Sequence, residues 1–331
     1  MDITRTLRRA AATLGLIAAA AAEAAGTVGN TLPADFPVIE DASLGKPVIG
    51  FGAAGTVTRT PVIFLHGNND VPFATSCSAT NGKIQGLAQH LADNGWALSE
   101  LWGLGYQGDQ CDLAADNTRR AKIGHSNQAN VPDLRRFVRA VLAYTGARQV
   151  DIVGHSLGVT LAREWMRQDE AHHQVRRLVA IDGPNHGIVN CSGNAANYYQ
   201  LPAFGGFTPG SEVCQELGAP DTPFLKLLNG RGGHAETMGP TRVLVIRNAD
   251  TSFVYFSKPD GFFAVPVPAE DIYGRAADFS RSATLKGAKQ VDLVGQGVYD
   301  PVLGTTHLGI LQSPDTKAEM LKFLSERGPR H

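Results

Sequence analysis

Val150-Asp151-Ile152-Val153-Gly154-His155-Ser156-Leu157-Gly158-Val159-Thr160-Leu161 is the stretch on which the reading of this chain turns. Its first four residues are rich in β-branched side chains and predict a buried strand, and 159–167 predict a helix. Between them lies a G-x-S-x-G turn. A turn this sharp leaves no room for Cβ atoms beside Ser156, so it needs Gly154 and Gly158. It would push the Ser156 hydroxyl out at a sheet edge, above a helix N-terminus whose dipole favours the negative charge that develops during nucleophilic attack. Strand, turn and helix in that order make Ser156 the candidate nucleophile and make the Leu157 N–H a candidate oxyanion donor. Gly124-His125-Ser126 is a decoy. It lacks the closing glycine and a preceding apolar strand, so Ser126 reads as a turn or capping residue and His125 as a loop residue facing solvent.

Strands and helices alternate outward from this point. Pro61-Val62-Ile63-Phe64-Leu65 is a continuous apolar run, as expected of a parallel strand buried on both faces, and it ends in His66-Gly67. Ile84, Leu87 and Leu91 have helical spacing, stopped by Asn94-Gly95. Residues 96–104 predict a second strand. A helix capped by Asn130 or Asp133 carries the stripe Leu134, Phe137, Val138, Val141 and Leu142, and ends near Gly146. Further strands are expected at 175–181, 242–246 and 291–294, with a last helix over 317–325. This alternation predicts an α/β fold with a mostly parallel central sheet and helices on both faces.

A serine nucleophile needs a base and an acid that orients the base, in the order Ser, Asp or Glu, His along a fold of this kind. His307, in Thr306-His307-Leu308-Gly309, follows the last strand across a glycine-rich loop and is the expected base. His186 is its rival, but it comes before every acid considered. Asp250, just past Val243-Leu244-Val245-Ile246, is the expected acid, in preference to Asp260, Glu270, Asp271, Asp292 and Asp300. The second oxyanion donor is expected from the loop after Leu65, with the N–H of Asn68 first in line. His66 reads as a buried turn residue. The chemistry so assembled is nucleophilic attack on an ester carbonyl, and it calls for no metal and no organic cofactor.

Composition sets the outer bounds. The chain has 331 residues and a formal net charge of -1, without a long run of Lys or Arg, so nothing points to a nucleic-acid partner. Arg5, Arg8 and Arg9, then the apolar run 10–22, then Ala22-Glu23-Ala24 form the pattern of a removable export signal over 1–24. The apolar run is too short to cross a bilayer. One domain is expected over 25–331, secreted or periplasmic, with insertions at about 185–240 and 251–287.

In an oxidising compartment Cys77, Cys111, Cys191 and Cys214 read as two disulfides. Three connectivities are open, and proximity favours Cys77 with Cys111 and Cys191 with Cys214. Eleven of the 24 aromatic residues fall between residues 198 and 273. That enrichment makes Tyr198, Tyr199, Phe204, Phe207, Phe253, Tyr255, Phe256, Phe262 and Phe263 candidates for an apolar substrate surface in the insertions.

His66-Gly67, Gly154-His155-Ser156-Leu157-Gly158, Asn248-Ala249-Asp250 and Thr306-His307-Leu308-Gly309 together resemble the corresponding motifs of secreted bacterial lipases of the α/β-hydrolase superfamily. Gly183-Pro184-Asn185-His186-Gly187 resembles the loop after the next strand in those enzymes. The set is also similar to lipase-like secreted poly(3-hydroxybutyrate) depolymerases. The resemblance runs from about Pro61 to the C-terminus. It implies an α/β-hydrolase fold and a carboxylic-ester hydrolase. The substrate would be a lipid, a short-chain ester or a polyester, met in part at a lipid or polymer surface. An acyltransferase and a non-catalytic binding module on the same scaffold are the alternatives.

Overall fold

The computed structural model describes residues 26–41, 45–78, 82–106, 108–109, 111, 126–191, 206–230, 236–237, 239–249, 270–279, 281–293 and 306–326. The strands are β1 (Glu40–Asp41), β2 (Lys46–Pro47), β3 (Ile49–Phe51), β4 (Val62–Leu65), β5 (Leu101–Gly105), β6 (Val150–His155), β7 (Val175–Ile181), β8 (Arg242–Asn248) and β9 (Lys289–Leu293). The helices are α1 (Gln85–Asp93), α2 (Asn127–Thr145), α3 (Leu157–Gln168), α4 (Glu212–Leu217), α5 (Pro223–Leu228), α6 (Thr306–Gly309) and α7 (Pro314–Ser325). β3 to β9 form one sheet in the order β3-β5-β4-β6-β7-β8-β9. Only β3, at one edge, runs antiparallel to its neighbour.

The period-two alternation of a strand divides the core in two. Ile63, Leu65, Ile152, Leu178, Ala180 and Val245 face α2 and α3, where Leu134, Phe137, Val138, Leu161 and Trp165 meet them. Val62, Phe64, Val153, Val179, Ile181 and Leu244 face α1 and α7, which contribute Leu87, Leu91, Met320 and Phe323. The central strands are thus buried on both faces, and this is why they are continuous apolar runs in the sequence.

Three local expectations shift. The strand expected over 96–104 begins at Leu101, because Leu98–Glu100 forms a 3₁₀ turn. The turn is held by the buried Glu100 carboxylate, which accepts hydrogen bonds from the N–H groups of Thr58, Arg59 and Ala97. α2 starts earlier than Asn130 or Asp133, with Ser126 as its cap accepting from the Ala129 N–H, so the decoy serine is a capping residue. The stretch 206–228, expected to be irregular, holds the six-residue helices α4 and α5, whose Val213, Leu217, Phe224 and Leu225 join the α2–α3 side of the core.

Candidate active site

Ser156 stands between β6 and α3 with φ 52° and ψ -125°, in the left-handed half of backbone space that a non-glycine residue adopts only under constraint. Its N–H donates to the Ile181 carbonyl at 2.9 Å, and its own carbonyl accepts from the Val159 N–H at 3.0 Å. A Cβ on Gly158 would lie 2.5 Å from the Leu65 carbonyl oxygen, so the closing glycine lets α3 begin directly against the end of β4. A Cβ on Gly67 would lie 3.0 Å from the Ser156 Cβ. The loop after β4 therefore passes beside the serine, and chain continuity brings Asn68 to the same corner as Leu157, the first residue of α3.

His307, in α6, is buried beside this turn. Its backbone carbonyl accepts from His155 Nε2 at 2.8 Å, which fixes the His155 proton on that nitrogen, and the two rings lie 4.5 Å apart. Burial pushes both imidazoles down to about 3. Each is neutral at ordinary pH, and a neutral imidazole can accept a proton. Sequence reasoning gave His155 no role, since it fills the variable position of the motif. In the structure it suspends the backbone of His307 from the nucleophile turn.

Among the described residues, the carboxylate beside His307 is that of Asp182. This residue directly follows β7, has φ 44°, and places Oδ2 3.5 Å from His307 Nδ1. Its N–H donates to the Ile246 carbonyl at 3.0 Å, and its Oδ1 accepts from the Asn248 N–H at 2.8 Å. Burial pushes the Asp182 carboxyl up to about 7, offset in part by the Asn248 N–H and by the charge of Arg247. Asp182 is not among the acids expected from the sequence, all of which lie beyond the apolar run of β8. The available signal was an aspartate at the tip of the strand next to β6, followed by Gly183-Pro184.

Asp250 lies outside the described residues, as do Asp260 and Asp300. Among the other acids, Asp271 pairs with Arg275 and Asp292 with Arg247, while Glu270 bridges to Ala276. His186 is turned to Glu236, with Nε2 2.9 Å from Oε1. His66 is buried and stacked on Tyr106, whose hydroxyl donates to the His66 carbonyl. Cys77 is bonded to Cys111, and Cys191 to Cys214. Of the nine aromatics expected at a substrate surface, Phe207 is buried in the core, and the rest lie outside the described residues. Core packing is thus its observed role.

Residues 59–237 match the model of a protein family described as lipase (class 2). The fold is similar to that of the mature Bacillus licheniformis lipase BlEst2, with a TM-score of 0.53 and 17% identity over 84% of this chain and 98% of that one. Aspergillus fumigatus lipase B is also similar, with a TM-score of 0.46 and 16% identity over 92% of this chain and 57% of that one.

Proposed function

The chain belongs to the class 2 lipase family of α/β-hydrolases, and on that premise we propose that it is an exported carboxylic-ester hydrolase that works through an acyl-enzyme on Ser156. The observation that carries the reading is the union of a constrained serine at the end of β6 with a buried, neutral imidazole tied to the same turn. His307 takes the Ser156 proton as Oγ attacks the ester carbonyl. It returns the proton to the leaving alcohol and then activates water to release the acid. The N–H groups of Leu157 and Asn68 hold the oxyanion. A carboxylate on the far nitrogen of His307 fixes its tautomer and stabilises the imidazolium, and the sequence nominates Asp250 for that part. Two disulfides in the chain support folding in an oxidising compartment, in keeping with the signal-like segment 1–24.

The test is Ser156→Ala. It should keep the fold and lose hydrolysis of p-nitrophenyl butyrate by on the order of 10⁴ to 10⁶, while a phosphonate ester labels Ser156 in the wild type. Labelling at Ser126, or full activity in the alanine variant, would remove the assignment. A panel of short esters, triglyceride emulsion and polyester film, run on the same preparations, then ranks the substrate classes.

A further inference from the structure

Among the described residues, Asp182 Oδ2 makes no hydrogen bond although the side chain is buried, and the basic atom it faces is His307 Nδ1 at 3.5 Å. A buried carboxylate oxygen without a donor costs free energy unless something approaches it. Three features hold this one in place. The residue is locked at φ 44°. Its N–H is tied to Ile246 and its other oxygen to the Asn248 N–H, so it is clamped between the ends of β7 and β8. His307 is likewise held by its carbonyl to His155. Neither partner is free to swing away, and closing the 3.5 Å gap between them to an ordinary hydrogen-bond length takes about half an ångström. Apo catalytic hydrogen bonds are often long in this way and tighten with substrate.

We propose that Asp182, at the tip of β7, is the carboxylate that orients His307, so that the acid of the triad comes from the strand next to the nucleophile strand. The proposal rests on the serine-hydrolase reading above. In this arrangement His307 carries its proton on Nδ1 and donates it to Asp182 Oδ2, which leaves Nε2 as the base. The Ser156 proton moves to Nε2 as the Oγ–carbonyl carbon bond forms. It then passes to the departing alkoxide as the ester C–O bond breaks. Asp182 remains ionised throughout and balances the imidazolium.

Among the described residues, the groups facing Asp182 are His155 from β6, the Asn248 N–H and Arg247 from β8, and His307 from α6. Arg247 is itself paired with Asp292. Asp182 and His307 are neighbours that would exchange a hydrogen bond, so the rise of activity with pH belongs to the pair and not to either residue alone.

The experiment compares Asp182→Asn with Asp250→Asn in the full exported protein, with active sites counted by phosphonate titration. Asparagine tolerates a left-handed backbone, and its Oδ1 can still accept from the Asn248 N–H, so the variant is expected to fold. Asp182→Asn should lower kcat by about 10² to 10⁴ with KM within a few-fold, and should shift the pH inflection of kcat, because one member of the titrating pair is gone. The low-field proton NMR resonance of His307 Nδ1–H, assigned with His307→Gln, should vanish in Asp182→Asn and persist in Asp250→Asn. Retention of kcat within threefold in Asp182→Asn would overturn the proposal. So would loss of the resonance in Asp250→Asn, an arm that does not depend on the Asp182 variant folding. Unchanged activity in Ser156→Ala would instead condemn the serine-hydrolase reading.

Discussion

Asp133 lies buried in α2, and desolvation together with the nearby Asp41 carboxyl pushes it up to about 7, against the opposing pull of Arg136. A carboxyl whose folded pKa exceeds its unfolded value holds its proton more tightly in the native state, so its contribution to stability declines as the pH rises from about 4 through about 7. Asp133→Asn removes the titration. Its stability should therefore gain on that of the wild type across this window, read as the difference in urea midpoints at successive pH values. A difference that stays constant from pH 4 to 8 would mean that Arg136 holds the carboxylate ionised throughout. Single residues were legible in the sequence where backbone geometry restricts the amino acid. Ser156 is announced by the glycines its turn requires, and His66 by its place after an apolar strand. Asp182 and His155 were not legible, because their roles depend on what the fold sets opposite them across sheet neighbours and a distant helix.

α2 begins under the control of another element. The Glu216 carboxylate in α4 accepts from the Ser126 hydroxyl, the Asn127 N–H, the Asn127 side-chain amide and the Gln128 N–H. A negative charge is thereby placed on a helix N-terminus, where the macrodipole favours it. Pro132, inside the helix, has no N–H to give, so the first turn depends more on this outside support. Glu216→Ala strands several buried donors and should cost about 2–4 kcal/mol, whereas Ser126→Ala should cost about 1 kcal/mol. Urea unfolding measures both, and equal small losses would show that water replaces the carboxylate. The sheet strands and long helices were legible because their apolar periods extend over many residues. α4 and α5 were not, since six residues span fewer than two turns and show no period. β3 is likewise too short to announce itself, and it takes its place only by pairing with β5.

Across the whole molecule, the sheet order explains the cystine pattern that spacing alone left open. β4 and β5 are neighbours and parallel, so the segments leaving their C-terminal ends run side by side, and Cys77 and Cys111 lie on those two segments. The Cys191–Cys214 bond joins the segment after β7 to α4. Each crosslink should stabilise the fold by roughly 3 kcal/mol. Reduction with dithiothreitol should accordingly lower the thermal midpoint in calorimetry. Without reductant and under denaturing conditions, no cysteine should react with iodoacetamide. A midpoint insensitive to reduction would show that the hydrophobic contacts alone fix these segments.

The Glu216 anchor also has a kinetic signature. The amides of Asn127 and Gln128 donate to a buried carboxylate carried by a different helix, and Cys214 binds that helix covalently to Cys191. These two amides can exchange with deuterium only when α4 lifts off α2, an event the crosslink restrains. Their exchange rates, followed with and without a bound substrate analogue, therefore time the detachment of this insertion from the core. Protection as strong as that of the amides in β6 would identify α4 as a fixed wall of the molecule.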